Sequence, residues 1–175
     1  MIDVDSTPDA TTPVAPRDEA WLQQLLDETW DSYFADVPQE NDVRIVFGRR
    51  AKRRLGSIAL DPRDQRTSVI TMNGLFRLAV IPDFVVQATL VHELTHYAHG
   101  FNSPLNQRQQ HPHAGGVMRR EFDERDLLQL YLQQKKWLKQ HWPAIIAQEF
   151  QTGRSTRASR TATIKIPKPF WFLGE

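Results

Sequence analysis

The 175-residue chain contains no cysteine, which limits both how it can be stabilised and what chemistry it can perform. Disulfides, thiolate nucleophiles and cysteine-ligated zinc are excluded together. The length suits one domain with a single sizeable core, and 40% hydrophobic and 25% charged residues is the composition of a globular protein. The fold must therefore rest on apolar packing, and any zinc ion must be held by histidine or carboxylate side chains.

Three regions of different composition follow one another along the chain. Residues 1–16 contain three prolines and three threonines, which predicts a flexible leader before a single domain at 17–151. Residues 152–175 carry five basic residues against one acid and are interpreted as a basic tail. No apolar run reaches the roughly 20 residues that a bilayer helix needs, and the leader lacks the composition of a signal peptide. We therefore expect a cytoplasmic protein without a membrane segment.

The first half of the domain is predicted to contain one helix and three strands. The helix follows Asp18, whose carboxylate suits the positive end of a helix. Short apolar runs then predict the strands, and the turn at 61–64 joins the last two into a hairpin. The predicted strands are Val43 to Phe47, Leu55 to Leu60 and Thr67 to Met72.

A second helix is predicted from Asp83, as its N-cap, to the residue before Gly100. The polar stretch 101–116 predicts a long irregular connection, and long loops inside compact domains are usually functional or disordered.

A third helix is predicted from about Val117 to Gln140. Pro143 is expected to break it, with a short helix following to Phe150. Together the elements predict an α+β fold in which helices cover a small three-stranded sheet.

The second predicted helix carries an H-E-x-x-H motif at His92-Glu93-Leu94-Thr95-His96. Residues four apart in a helix differ by about 40° around the axis and about 6 Å along it. Both imidazoles can therefore bind one metal ion, and imidazole is a preferred zinc ligand. Zinc lowers the pKa of a bound water to about 7, and Glu93 can accept its proton and pass it to a leaving amine. Without a metal, the same residues would be two partly exposed histidines that pair with nearby acids.

A catalytic zinc site needs a third protein ligand, which must come from later in the chain. His113 is favoured and His111 is the next choice, because both lie in the loop that enters the third helix. A carboxylate from Glu121 or Glu124 would instead make a two-histidine, one-carboxylate site. The remaining histidine of this helix, His99, is interpreted as a partner of the negative helix end.

Basic residues are concentrated in one short segment. Residues 44–54 carry six bases and no acid. Such a cluster can neutralise nucleic-acid phosphates, or it can protect an exposed strand edge from pairing. The candidate nucleic-acid-binding residues are Arg49, Arg50, Lys52, Arg53 and Arg54.

Residues 18–140 resemble the SprT-like metallopeptidases, the family that includes Spartan. The resemblance rests on RRLGSI at 53–58, ITMNGL at 70–75 and ATLVHELTHY at 88–97. In that family a His-Gly motif at the start of a later helix supplies the third zinc ligand. His113-Ala114 matches this motif best by its spacing to the following helix, with alanine in place of glycine, whereas the distance from His96 favours His111.

The resemblance implies a zincin-like fold with H-E-x-x-H on its central helix, and a zinc-dependent metallopeptidase. Spartan acts on proteins crosslinked to DNA, but its extra recruitment segments have no counterpart in this chain, and its substrate is not carried over. The expected partners are a protein or peptide substrate and, from the basic residues of this chain itself, single-stranded DNA. The alternative from a different class is a nucleic-acid-binding module in which zinc is structural or absent.

Overall fold

The computed structural model describes residues 17–108 and 116–151, which form an α+β fold with four α-helices and one three-stranded sheet. The predicted leader at 1–16 and basic tail at 152–175 lie outside the described residues. In chain order the elements are α1 (Glu19–Tyr33), β1 (Val43–Phe47), β2 (Gly56–Leu60), β3 (Ser68–Met72), a 3-10 turn (Gly74–Arg77), α2 (Asp83–Ala98), α3 (Val117–Glu124) and α4 (Leu128–Phe150). None of the described helices is long and apolar enough to cross a membrane.

The first helix begins where the sequence predicts. The Asp18 carboxylate accepts a hydrogen bond from the Trp21 backbone N–H and thereby satisfies one of the free donors of the first turn. Leu22 and Leu26, four residues apart on one face, are buried in the core. This face packs against β1 and α2.

The sheet has the strand order β1-β3-β2. The predicted hairpin is confirmed, because β2 and β3 pair antiparallel with Ile58 opposite Ile70. In contrast, β1 pairs parallel with β3, and Ile45 lies opposite Ile70 in that pair. All three isoleucines are buried, so they form one row of the core across the sheet. As the last strand in this order, β2 is an edge.

The second helix is the centre of the fold. It packs against both neighbouring strands, β2 and β3, and against the other three helices. The predicted N-cap is wrong by one residue: Pro82 is the cap and Asp83 is the first helical residue. Pro82 still has an extended backbone, so the helix begins at the next residue. The Asp83 carboxylate forms an ion pair with Arg17 instead of capping the helix. Gly100, with φ of +79°, follows the helix end as predicted.

The predicted third helix is two helices. The chain leaves the helical path after Glu124, and Asp126 adopts a left-handed backbone with φ of +58°. The Leu127 N–H then donates to the Phe122 carbonyl at 2.6 Å, which closes the end of α3.

The predicted break at Pro143 is also wrong, because α4 continues through this residue to Phe150. A proline removes one backbone hydrogen-bond donor from a helix. Contacts of the residues before and after Pro143 offset the lost hydrogen bond. The Trp142 indole donates to the Lys52 carbonyl at 3.0 Å, and Ile145 is buried.

Candidate functional site

The two histidines of the H-E-x-x-H motif face a cleft of about 920 Å³. His92 and His96 lie one turn apart on α2, and their Nε2 atoms are 3.2 Å apart. The rings meet edge to face, with centroids 4.9 Å apart and planes at 78°. The Phe101 ring packs edge-on against His96 at 5.9 Å and forms part of the cleft wall.

The separation of these two nitrogen atoms fits a zinc ion. Two ligands of a tetrahedral zinc site with Zn–N distances of 2.0–2.1 Å lie about 3.3 Å from each other. The observed 3.2 Å also suits a hydrogen bond between the rings in the metal-free protein, provided that only one of them carries its proton on Nε2. The two donors are therefore already at zinc-binding distance from each other without any movement of α2.

Glu93, between the two histidines, lies at the border of the cleft and is buried against the edge strand. Only 5% of the residue is accessible. Burial raises the pKa of the Glu93 carboxyl to about 8, against the opposing effects of the Arg54 charge and a backbone hydrogen bond from Ile58. The Glu93 carboxyl group thus lies against β2, and the two imidazoles are carried by the same helix, α2.

Gly56 makes room for this carboxylate. A β-carbon at Gly56 would lie 2.7 Å from Glu93 Oε1 and 2.9 Å from the Thr89 methyl group, both closer than real β-carbons come. The first residue of β2 must therefore be glycine if Glu93 is to keep its position. This role was not predicted, although Gly56 stands in one of the segments that carry the family resemblance; a glycine at the start of a strand is the signal.

Two further polar residues of the cleft were not predicted. Gln134 of α4 is buried and donates to the Val85 carbonyl at 3.0 Å and the Thr89 hydroxyl at 2.8 Å, which ties α4 to α2. Asn102, just after α2, donates from its side-chain amide to the Ile58 carbonyl at 3.0 Å. No local sequence signal marks either residue, because each acts on an element distant in sequence.

The favoured third-ligand candidates, His111 and His113, lie outside the described residues. Glu121 is hydrogen-bonded to His99 Nε2 at 2.6 Å, and Glu124 is exposed at the end of α3. Among residues 17–108 and 116–151, no group of three or more histidine, aspartate or glutamate side chains is arranged to hold a metal ion. The described structure thus brings together His92, His96 and Glu93 and directs Glu121 to His99.

The predicted basic cluster borders the same cleft. All five of its residues are exposed, and Lys52, Arg53 and Arg54 line the cleft wall beside β2. The loop is fixed in place: the Asn73 amide donates to the carbonyls of Ala51 and Arg54 at 2.7 and 2.6 Å. The Lys52 ammonium group also lies 5.0 Å from the centre of the Phe150 ring. The two remaining members, Arg49 and Arg50, do not line the cleft, and Arg50 pairs with Glu149.

Comparison with known proteins does not assign the chain to a family. The sequence matches no protein-family model and no curated protein, and the structure matches no solved structure. Any assignment of function must therefore rest on the residues and geometry of the cleft itself.

Proposed function

We propose that the protein is a zinc-dependent endopeptidase of the zincin type, similar to the SprT-like metallopeptidases. One observation carries this proposal. Two imidazole nitrogens 3.2 Å apart and a buried carboxylate from the residue between them border one cleft, beside an edge strand. Each part has a structural use by itself, but the combination is what hydrolysis of a peptide bond requires.

In this proposal the zinc ligands are His92, His96 and one histidine of the following loop, His113 or His111. When bound, zinc supplies the acidity that makes water a nucleophile at neutral pH and polarises a peptide carbonyl. Glu93 accepts a proton at its carboxylate and returns it to the leaving amine. Its contact with β2 keeps the carboxylate from rotating away from the two imidazoles.

The proposed substrate is a peptide segment in an extended conformation. An edge strand presents unpaired backbone donors and acceptors, which an extended peptide can use as an additional strand. A folded domain cannot supply such a segment until it unfolds locally, so unfolded proteins are the expected substrates. The basic wall formed by Lys52, Arg53 and Arg54 adds attraction for DNA-associated proteins or for the DNA itself.

The test of this function is Glu93→Gln. This variant should keep its fold and its zinc, because glutamine preserves the size of the side chain and both histidines remain. Its turnover of casein should fall by about 10²- to 10⁴-fold, the usual contribution of a general acid–base group. The measurements are zinc content, thermal unfolding and casein hydrolysis of each purified protein.

The matched control is Glu28→Gln, on α1 outside the cleft, where the carboxylate accepts a hydrogen bond from Gln24. It should cleave casein like the wild type. If Glu93→Gln cleaves casein as fast as the wild type, the proposed mechanism is wrong.

The identity of the third ligand is tested separately by zinc retention of His113→Ala, His111→Ala and Glu121→Ala. We expect His113→Ala or His111→Ala to lose zinc. Glu121→Ala should keep zinc and lose stability, because it leaves the buried His99 without its hydrogen-bond partner. Loss of zinc in Glu121→Ala alone would favour a carboxylate ligand.

The basic wall favours a second candidate function, a nucleic-acid-binding module in which zinc is structural or absent. Three exposed cations lie along one side of the cleft on a loop held by Asn73. This function predicts that Glu93→Gln has no effect and that affinity for single-stranded DNA falls steeply with salt. Arg53→Gln/Arg54→Gln should lower the slope of log K against log salt by about 1.4, at about 0.7 per contacted phosphate. Arg120→Gln, an exposed residue of α3, is the control.

A further inference from the structure

The edge of β2 that faces the cleft is partly occupied by the protein's own side chains. The Leu55 carbonyl accepts from the Asn73 N–H, and the Asp61 N–H donates to the Thr67 carbonyl, so backbone groups at odd-numbered positions are directed to β3. Because backbone direction alternates along a strand, the groups of Gly56, Ile58 and Leu60 are directed outward. These are the positions at which an added peptide strand would pair.

One outward group of the central residue, Ile58, already has a partner within the chain. Its carbonyl accepts from Asn102 Nδ2 at 3.0 Å. A peptide strand laid along β2 would meet an occupied carbonyl at its middle position. The site for main-chain pairing is therefore divided at Ile58.

Asn102 is held firmly in this position. Its backbone has φ of +54°, a conformation that asparagine tolerates better than most residues. The Ser68 hydroxyl donates to the Asn102 carbonyl at 2.6 Å, which ties the residue to β3. The adjacent Ser103 hydroxyl donates to the Tyr97 carbonyl at 2.7 Å, which ties the segment to α2.

We propose that Asn102 is a specificity-determining residue: by occupying the Ile58 carbonyl, it interrupts main-chain pairing of an extended peptide in the middle of β2 and separates the Gly56 end from the Leu60 end. The Gly56 end lies next to Lys52, Arg53 and Arg54 on the cleft wall. The part of a peptide that pairs at this end is thus short and runs beside basic side chains. This inference rests on the proposed peptidase function.

The test compares Asn102→Gly with Asn102→Asp. Both variants remove the amide donor, and both residues tolerate a positive φ. Ser103→Ala is the matched control, because it removes a hydrogen bond from the same segment without freeing the edge. The probe is a fluorescein-labelled decapeptide of threonine, valine and serine in a non-repeating order, so that a shift by two residues does not restore the same contacts, together with versions N-methylated at one backbone nitrogen each. Binding is measured by anisotropy with chelator present, so that no turnover occurs.

The wild type should lose affinity when the peptide nitrogen that pairs at Gly56 is methylated, and should tolerate methylation of the nitrogen two residues away, opposite Ile58. In Asn102→Gly a second sensitive nitrogen should appear two residues away, and the unmodified probe should bind about three- to tenfold tighter, as expected for one additional hydrogen bond. Asn102→Asp should also gain the second sensitive position. Ser103→Ala should bind like the wild type.

Two results would overturn the inference, and they are distinguishable. If the variants cleave casein but bind every probe like the wild type, Asn102 has a structural role only. If no variant and no wild-type protein binds the probe or cleaves casein, the proposed function fails, and the inference fails with it.

Discussion

Glu93 occupies space in the cleft that a side chain at position 56 would need. Burial disfavours the charged form of Glu93 and raises its pKa, and the Arg54 charge and the Ile58 backbone offset only part of this effect. The strand can approach this closely only because Gly56 has no side chain. In the proposed peptidase this approach fixes the proton acceptor.

Gly56→Ala should therefore damage the site more than the fold. Its new β-carbon would clash with Glu93 Oε1 and the Thr89 methyl group, so we expect a loss of about 1–3 kcal/mol in stability, as for other overpacked positions. Because Glu93 must rotate away, turnover per folded molecule should also fall, with zinc content unchanged. Urea unfolding, metal analysis and casein hydrolysis measure the three effects.

Gly48→Ala is the control for this substitution. Its β-carbon would lie 2.5 Å from the Thr71 methyl group, a comparable clash away from the cleft. It should lose similar stability and keep its turnover per folded molecule. Equal losses of turnover in both variants would mean that Gly56 acts only through stability.

At the level of elements, Arg125 joins the end of α1 to the junction between α3 and α4. Its guanidinium donates to the Tyr33 carbonyl and to Asp36 Oδ1 at 2.7 Å, and it lies 4.1 Å from the centre of the Phe34 ring. The arginine side chain is 10% exposed and the aspartate side chain 65% exposed. The junction that the sequence did not predict is thus anchored by an ion pair to the turn that follows α1.

This ion pair predicts an acid-dependent contribution to stability. The hydrogen bond from Arg125 lowers the pKa of Asp36 below its usual value in the folded protein. The contribution is therefore complete above the unfolded value of about 4 and is lost as the pH falls through the lowered folded value. Asp36→Asn should be about 0.5 kcal/mol less stable at pH 7, a small effect because the pair is exposed.

Urea unfolding at pH 7, 4 and 2.5 checks this prediction. The difference between the wild type and Asp36→Asn should shrink as the pH falls below about 4 and be smallest at the lowest value. Asp27→Asn, on the exposed face of α1, serves as the control. A difference that stays constant down to pH 2.5 would mean that the carboxylate charge is not what stabilises the junction.

The elements that the sequence predicted well are those with local signals at both ends. Asp18 and Gly100 mark helix ends through caps and backbone conformation, and the turn at 61–64 joins two strands that are neighbours in the chain. The parallel pairing of β1 with β3 has no such signal, because it depends on which distant strands meet in the folded core. The break at Asp126 was missed because neither glycine nor proline marks it.

At the scale of the molecule, the cleft combines a part that sequence can predict with a part that it cannot. His92, Glu93 and His96 share one helix, so their spacing alone places them together. Gly56, Asn102 and Gln134 come from three other parts of the chain and meet them only through the packing of α2 with β2 and α4. Tertiary structure, rather than any motif, brings these residues to the cleft.

A metal ion held by ligands from separate elements should stabilise the whole fold. If zinc binds the folded chain and not the unfolded chain, a concentration 100 times its Kd adds about 2.7 kcal/mol to the free energy of unfolding. For a domain of this size, that corresponds to a rise in Tm of roughly 5–10 °C.

Chelation should reverse the rise, and His92→Ala and His96→Ala should abolish it. His141→Ala, an exposed histidine of α4, should retain it. Because α2 is the centre of the packing, circular dichroism and tryptophan fluorescence should report the same rise in Tm. A rise seen by only one of the two probes would place zinc elsewhere. So would an equal rise in Tm for His92→Ala.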